Sequence, residues 1–190
     1  MPNKPLMMVL LALSIWPLSG CVPALIAGTG AGVAVATDPR TSATYLDDSE
    51  IDVRASGRIT ANYPANKVHV NVNSYNRNVL LTGQVPDDAT KTQITALVQT
   101  IPDVNQVYNQ LEIGPPTDFS SRSEDSYISA KVHARFMDAG TVPVAAVDVT
   151  TEHGVVYLMG FVTQAQGDEA ARVARLTSGV KRVVTLFEYR

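Results

Sequence analysis

The chain has 190 residues, of which 45% are hydrophobic and 17% are charged, and its formal net charge at pH 7 is −3. This composition is typical of a folded protein and leaves room for one domain or two small ones. The mildly acidic balance excludes a general electrostatic surface for nucleic acid, so we expect no nucleic-acid partner. The single cysteine, Cys21, excludes an internal disulfide.

The first 20 residues have the pattern of a secretory signal peptide. Lys4 supplies a positive start, and the apolar run at 6–15 is shorter than the ~20 residues that a membrane-spanning helix needs. The segment ends in Leu18-Ser19-Gly20-Cys21, which resembles the lipobox of bacterial lipoproteins. This resemblance implies that residues 1–20 are removed and that Cys21 then carries three acyl chains such as palmitate.

Residues 21–45 are predicted to be a lipidated tether. Val22 rather than aspartate follows the cysteine, which by resemblance to enterobacterial sorting implies an outer-membrane protein that faces the periplasm. The glycines of the tether lack the spacing and the preceding strand of a dinucleotide-binding loop. Two alternatives stay open: a lone cysteine is often a core residue, and the apolar stretch at 22–36 can extend the signal core into one longer membrane helix.

The strongest internal signal is a repeat. Residues 72–85 align with residues 149–162 at a constant offset of 77, which also places Ile51 on Ile128 and Arg58 on Arg135. After one gap the offset becomes 76, and Glu112 then falls on Glu188. We therefore predict two copies of one fold, at 46–114 and 122–190, joined by a semi-rigid linker at 115–121 that contains two prolines.

Each copy has the predicted order α-β-β-α-β. Helices are expected at about 47–60 and 124–139, strands at 68–72 and 147–149 and at 79–83 and 155–160, and closing strands at 106–113 and 181–189. A second helix precedes each closing strand. In the second copy Ile128, Val132 and Phe136 recur every four residues and so share one buried face. Ser121 and Glu124 have the spacing of a capping box at the start of this helix.

Two helices are expected to cover one face of a three-stranded sheet in each copy. The hairpin turns fall at 74–78 and 151–154, where Gly154 can take a positive φ. Leu158 is predicted to be central and buried. Because a unit of ~70 residues is near the lower size limit for an independent core, we predict that the two copies pack against each other.

These patterns resemble a known family, the BON domains. The residues that carry the resemblance are Val79-x-Leu81-x-Gly83-x-Val85, Val156-x-Leu158-x-Gly160-x-Val162 and the closing motif Ser178-Gly179-Val180-Lys181-Arg182-Val183. The first copy departs from the closing motif, with Asp103 where glycine is usual. The predicted fold class is therefore α+β, with two tandem BON domains after a lipoprotein signal peptide. The resemblance implies a lipoprotein that binds anionic phospholipid, gathers at division sites and supports envelope integrity.

No constellation of catalytic residues is found in the sequence. His69, His133 and His153 have no metal-ligand spacing; we expect His69 to face solvent and His153 to lie in a turn. The pairs Asp47-Asp48 and Asp87-Asp88 are expected at helix starts, where carboxylates complement the helix dipole. Close backbone packing is the expected role of the strand-end glycines Gly83 and Gly160. We therefore predict a protein that is not an enzyme and that needs no cofactor and no metal.

Charge differs between the two copies. Residues 46–114 carry five basic and eight acidic side chains, whereas residues 122–190 carry eight of each, so an anionic membrane repels the first copy more. The predicted lipid-binding face is the outer side of the first helix of the second copy, formed by Tyr127, Ala130, Lys131 and Ala134 with Arg135 at its edge. The matching face of the first copy carries Glu50 and Arg54 and has no aromatic residue. The plainer alternative is a solvated helix face with one stray tyrosine.

The leading hypothesis is a non-enzymatic outer-membrane lipoprotein that binds anionic phospholipid through its second BON domain. The main alternative is a periplasmic scaffold whose exposed sheet face or edge docks an envelope-assembly or peptidoglycan-remodelling partner. A third, weaker hypothesis is a degenerate enzyme or a peptidoglycan binder.

Overall fold

The computed structural model describes residues 38–190. Cys21, the signal peptide and the tether up to residue 37 lie outside the described residues, so the lipobox stays a prediction. Within the described range, no helix is long and apolar enough to cross a membrane.

The fold is α+β, and both copies have the predicted element order. The first copy consists of α1 (Ser42–Asn62), β1 (His69–Tyr75), β2 (Asn78–Val85), α2 (Asp88–Gln99) and β3 (Gln106–Ile113). The second consists of α3 (Phe119–Ala139), a short 3-10 turn (Val144–Ala146), β4 (Val147–Glu152), β5 (Val155–Val162), α4 (Gln164–Arg175) and β6 (Arg182–Tyr189). The α-β-β-α-β order predicted from the repeat is therefore confirmed.

Each copy builds one mixed three-stranded sheet with its middle strand in the centre. β1 runs antiparallel to β2 and β3 runs parallel to it; β4, β5 and β6 repeat this arrangement. Val72 lies opposite Leu81, and Val149 lies opposite Leu158, so the pairing register keeps the 77-residue offset.

The two helices of each copy cover one face of its sheet. α3 contributes Ile128, Val132 and Phe136 to a core that includes Leu158, and all four side chains are buried. α1 and α2 cover the first sheet in the same way, around Leu81 and Ile94. The predicted helical face and the predicted central leucine are therefore confirmed.

Helix starts differ from two predictions. α3 begins at Phe119, because the Asp118 side chain accepts a hydrogen bond from the Ser121 backbone N–H at 2.8 Å and caps the helix there. The capping box predicted for Ser121 and Glu124 is therefore wrong, since both residues lie inside the helix. α2 does begin after an aspartate, Asp87, as predicted.

The acidic pair Asp47-Asp48 is not at a helix start. α1 begins at Ser42, so the pair lies in its second turn, and Asp48 is buried. The Asp48 carboxylate accepts hydrogen bonds from the backbone N–H groups of Asn76 and Arg77 at 2.9 and 2.6 Å. These are the two residues of the β1–β2 turn, and both have positive φ. The carboxylate thus holds a turn that backbone sterics alone disfavour.

The second copy repeats this arrangement at the same offset. Asp125 on α3 is buried and accepts hydrogen bonds from the backbone N–H groups of His153 and Gly154, both at 2.8 Å. His153 and Gly154 form the β4–β5 turn with positive φ, as predicted for Gly154. We call Asp48 and Asp125 the turn-capping aspartates.

Close backbone packing explains the glycines of the two central strands. A Cβ on Gly83 would lie 2.1 Å from the carbonyl oxygen of His69, and one on Gly160 would lie 2.3 Å from that of Ala146. The predicted close approach is therefore confirmed, although both glycines lie inside their strands rather than at the ends.

The two copies contact each other through the sheet faces that the helices leave bare. A third core forms between the sheets around Tyr75 and Leu80 of the first copy and Val155, Tyr157 and Met159 of the second. The layers therefore run helices, sheet, sheet, helices. The predicted packing of the two copies is observed, and we call this contact region the seam.

Contacts across the seam are reciprocal. His153 Nδ1 lies 2.9 Å from Glu112 Oε2, and Asn76 Nδ2 donates to the carboxylate of Glu188 at 3.0 Å. Since Asn76 aligns with His153 and Glu112 with Glu188, the same surface is used from both sides. This is the property of a two-fold, isologous interface, here formed within one chain.

One half of the seam is polar. Glu152 is only 4% exposed and accepts hydrogen bonds from Gln84 at 2.6 Å and Asn71 at 3.0 Å. His69 lies beside Asn71 and is half-buried, so its predicted solvent-facing position is wrong. Burial lowers the pKa of its imidazole. The cause of the difference is the second domain, which covers a strand face that the sequence pattern leaves open.

Candidate functional site

The predicted binding face lies on the outside of α3. Tyr127 is 64% exposed, and Ala130 and Ala134 are exposed next to it. The opposite side of the helix packs on the core, which fixes this face outward. The structure therefore brings the three uncharged residues of the predicted face together on one surface.

The two cations of the face have partners in the fold. The Lys131 ammonium lies 4.6 Å from the centre of the Tyr127 ring, within the range of a cation–π contact. It donates to the carbonyl oxygen of Ser178 at 2.6 Å, and Arg135 Nη1 donates to the carbonyl oxygen of Leu176 at 3.0 Å. Both carbonyls follow the end of α4, where cations complement the helix dipole. Lys131 and Arg135 thus tie α3 to the segment after α4.

The matching face of α1 is built differently. Glu50 and Arg54 form an ion pair with each other. Arg58 Nη1 donates to Thr100 Oγ1 at 3.0 Å. In the first copy, α1 is therefore bound to the segment after α2 through a threonine side chain and not through a backbone carbonyl. Thr100 occupies the position of Leu176 at the 76-residue offset.

Sequence reasoning missed several exposed apolar side chains near the face. Phe119 and Met137 lie near the two ends of α3, and Leu176 follows α4; all three are more than half exposed. Phe119 was missed because the helix was predicted to begin near Glu124, whereas its N-cap is Asp118. Leu176 could have been found from the sequence, because it is a large apolar residue at the position where the first copy has a threonine.

α1 also exposes apolar side chains that the sequence reasoning missed. Tyr45, Leu46 and Val53 are each more than half exposed. The carboxylates of Asp47 and Glu50 lie near them and reach solvent, whereas those of Asp48 and Asp52 line the seam cavity. An anionic surface is therefore an unfavourable neighbour for this part of α1.

A group of carboxylates lies at the other half of the seam. Asp52 of α1 and Asp148 of β4 line one cavity with Arg40, Asp48 and Tyr75. Burial raises the pKa of Asp52 to about 6, and the nearby carboxylates of Asp48 and Asp148 add to the effect. Burial also raises the pKa of Asp148. Among residues 38–190, no group of His, Asp and Glu side chains has the arrangement of a metal site.

The fold and its repeated pattern define a class of protein. The family model of the BON domain matches residues 45–115 and 124–190, which together cover more than two thirds of the chain. The chain therefore belongs to the BON-domain family and carries two BON domains.

Particular relatives are similar to this chain over most of their length. The chain is 39% identical over 173 residues to "Outer membrane lipoprotein DolP" of Haemophilus influenzae, covering 90% of each chain. It is 31% identical over 153 residues to "21 kDa hemolysin" of Actinobacillus pleuropneumoniae, covering 80% of this chain and 79% of the relative. The similarity to DolP extends across both domains.

A comparison with solved structures gave a more distant likeness. The C-terminal domain of CdsD, a structural protein of the type III secretion system of Chlamydia trachomatis, matches 73% of this chain and 96% of its own with 12% identity and a TM-score of 0.31. A likeness at this level carries no argument about function.

Proposed function

We propose that the chain is a lipid-anchored protein of the outer membrane that faces the periplasm and binds anionic phospholipid through α3. The observation that carries the proposal is the outward face around Tyr127, which combines an exposed aromatic ring, small residues and two cations. Such a face suits the interface of an anionic bilayer, where a ring is partly buried and cations meet phosphate groups. The similarity to DolP, whose name places it in the outer membrane as a lipoprotein, supports the location.

Vesicle flotation tests the binding directly. The mature chain, made from residue 21 with Cys21→Ser so that it carries no lipid, is mixed with vesicles of phosphatidylcholine alone or with phosphatidylglycerol added. We expect flotation only with the anionic vesicles. Equal flotation with both, or with neither, would contradict the proposal.

The anchor is tested separately in cells. Cys21→Ala removes the proposed acylation site, and anchoring depends on the acyl chains because each buried methylene contributes about 0.8 kcal/mol. We expect the variant to leave the outer-membrane fraction while it keeps its fold. If it still pellets with the outer membrane as the wild type does, the anchor proposal is wrong.

We further propose a role in envelope integrity at division sites, on the strength of the family resemblance and the similarity to DolP. Deletion of the gene should sensitise cells to detergent, and a fluorescent fusion should gather at the division septum. Normal detergent resistance together with a uniform fluorescent outline would contradict this role.

Under the scaffold alternative, fewer surfaces are open to a protein partner than the sequence suggested. Both sheet faces pack against each other in the seam, so a partner has no access to them. The exposed apolar side chains Tyr45, Leu46 and Val53 of α1 give a protein partner its best remaining surface. Failure to float with any vesicle, together with a normal fold, would favour this alternative.

A further inference from the structure

We infer that the end of α4 and the segment after it, residues 172–182, form a second membrane-contacting element, with Leu176 as its apolar anchor and Arg175 and Lys181 as its contacts to anionic headgroups. This inference rests on the proposed function of α3 and extends it to a part of the chain outside that helix. Three features of the described residues carry it: charge, position and an exposed apolar side chain.

The charge of this segment sets it apart from its counterpart. Residues 172–182 contain four basic residues (Arg172, Arg175, Lys181 and Arg182) and no acidic one. The aligned residues 96–106 of the first copy contain no basic residue and one acidic residue. All four cations are exposed, and of these four only Arg172 has an ion-pair partner within residues 38–190, Glu169. The Arg182 side chain lies on the seam side of β6, near Tyr157, so the α3 side receives the charge of the other three. The segment thus presents a concentrated positive charge that complements an anionic bilayer.

The position of the segment is fixed by contacts with α3. Arg135 holds the carbonyl of Leu176, and Lys131 holds that of Ser178, one turn nearer the start of α3. Gly179 packs against Ile128, and Lys181 lines a cavity with Glu124. The segment therefore runs antiparallel to α3 along the side that carries Lys131, next to Tyr127.

Leu176 supplies the apolar part. Its side chain is 62% exposed, although its backbone carbonyl is engaged by Arg135. The Arg135 contact fixes the backbone at this position, and the exposed apolar side chain is therefore well placed to enter the headgroup region. The aligned residue in the first copy is Thr100, which gives a natural replacement for testing.

This arrangement gives two cations of the α3 face a second role. Lys131 and Arg135 are also positioning residues, because they hold the segment beside α3 through hydrogen bonds to its carbonyls. Arg175 and Lys181 then add two further cations that can meet lipid phosphate groups. The membrane-binding surface is wider than one helix and includes two parts of the chain far apart in sequence.

Tryptophan fluorescence tests the inference. The only tryptophan of the chain, Trp16, lies in the signal peptide, so the mature chain has none. Leu176→Trp, Tyr127→Trp and Leu46→Trp each place one reporter at an exposed site. With phosphatidylglycerol vesicles, the reporters at 176 and 127 should shift emission to shorter wavelength and be quenched by brominated acyl chains. The reporter at 46, on α1, should do neither.

The outcomes separate this inference from the proposed function. A response at 127 without one at 176 overturns the inference and leaves the proposed function standing. No response at either position, or a response only at 46, contradicts both. As a second readout, Leu176→Thr should weaken vesicle binding about tenfold at low and high salt alike, because the lost contribution is apolar. Binding and thermal stability both equal to wild type in that variant would also overturn the inference.

Discussion

The two BON domains of this chain keep the same interior and differ at their surfaces. Each has a turn-capping aspartate, a central leucine and a glycine pressed against a carbonyl, at positions 77 residues apart. Their outer surfaces diverge: residues 172–182 carry four cations where residues 96–106 carry one anion. The shared interior reflects the packing that both cores have in common, whereas the surface charge is free to differ. The proposed lipid-binding role of the second domain depends on that difference.

The largest expected effect tests whether the interiors match. Leu81 and Leu158 are both fully buried at aligned positions. Truncating either to alanine leaves a cavity, so Leu81→Ala and Leu158→Ala should each lower the free energy of unfolding by about 2–5 kcal/mol. Because the seam joins the two cores, each variant should unfold in a single transition. Urea denaturation followed by circular dichroism measures both quantities.

Two results would contradict the claim that the two interiors match and are coupled. An unchanged midpoint for Leu158→Ala would mean that the strand register is wrong. Two separate transitions would mean that the seam does not couple the domains.

The turn-capping aspartates give the next largest effect. Asp125→Asn replaces one carboxylate oxygen with an amide that cannot accept the hydrogen bond of a turn N–H, which leaves a buried donor unpaired. We expect a loss of about 2 kcal/mol in the free energy of unfolding. Asp48→Asn should cost more, because Asp48 also accepts from Arg40 at 2.9 Å.

Thermal or chemical unfolding of both variants measures the difference. Asp138→Asn, at an exposed position near the end of α3, serves as the control and should have little effect. Equal stability of Asp125→Asn and wild type would contradict the capping role.

A smaller effect is a pH dependence of stability, which we expect from the first copy and not from the aligned position of the second. The pKa of Asp52 is raised to about 6 in the folded protein. Above that pH the side chain is ionised and its buried charge lowers the stability of the fold, whereas the protonated side chain has no such cost. The aligned residue Ser129 does not titrate. Asp52→Asn should therefore be more stable than wild type at pH 7.5, and this gain should fade as pH falls through 6 and vanish near pH 4.

The measurement is the difference in melting temperature between Asp52→Asn and wild type across this pH range. Because only Asp52 is changed, the titration of groups away from this cavity, such as His69, is the same in both proteins and cancels. A difference that stays constant with pH would contradict the assignment to Asp52.

The smallest effect concerns individual surface cations. Arg175→Gln with Lys181→Gln should weaken binding to anionic vesicles at low salt, since each basic residue near such a surface contributes about 1 kcal/mol. The loss should shrink as salt rises, because screening already removes these contributions. A matched pair in the first domain, Arg54→Gln with Lys67→Gln, should leave binding unchanged. An equal loss from both pairs would mean that binding follows net charge alone.

The sequence was sufficient for the parts of the fold that repeat or alternate. The 77-residue offset predicted both domains, and the four-residue spacing of Ile128, Val132 and Phe136 predicted the buried face of α3. These patterns arise from local geometry, which the sequence records directly. The central burial of Leu158 followed from the same patterns.

The parts that could not be predicted depend on the tertiary arrangement. Asp48 looks like a helix-start residue, yet it caps a turn that lies 28 residues further along the chain. His69 looks solvent-facing because nothing in its strand shows that a second sheet covers it. The ties from Lys131 and Arg135 to the segment after α4 span more than 40 residues, so neither spacing nor periodicity indicates them.

Flotation of two matched variants tests the central claim, that only the second domain presents a lipid-binding face. Tyr127→Glu places a negative charge at the centre of the α3 face, and Glu50→Ala removes one from the aligned position on α1. With phosphatidylglycerol vesicles, Tyr127→Glu should fail to float at low and high salt, whereas Glu50→Ala should float as well as wild type or slightly better. Full flotation of folded Tyr127→Glu would contradict the account and move the lipid-binding surface away from α3.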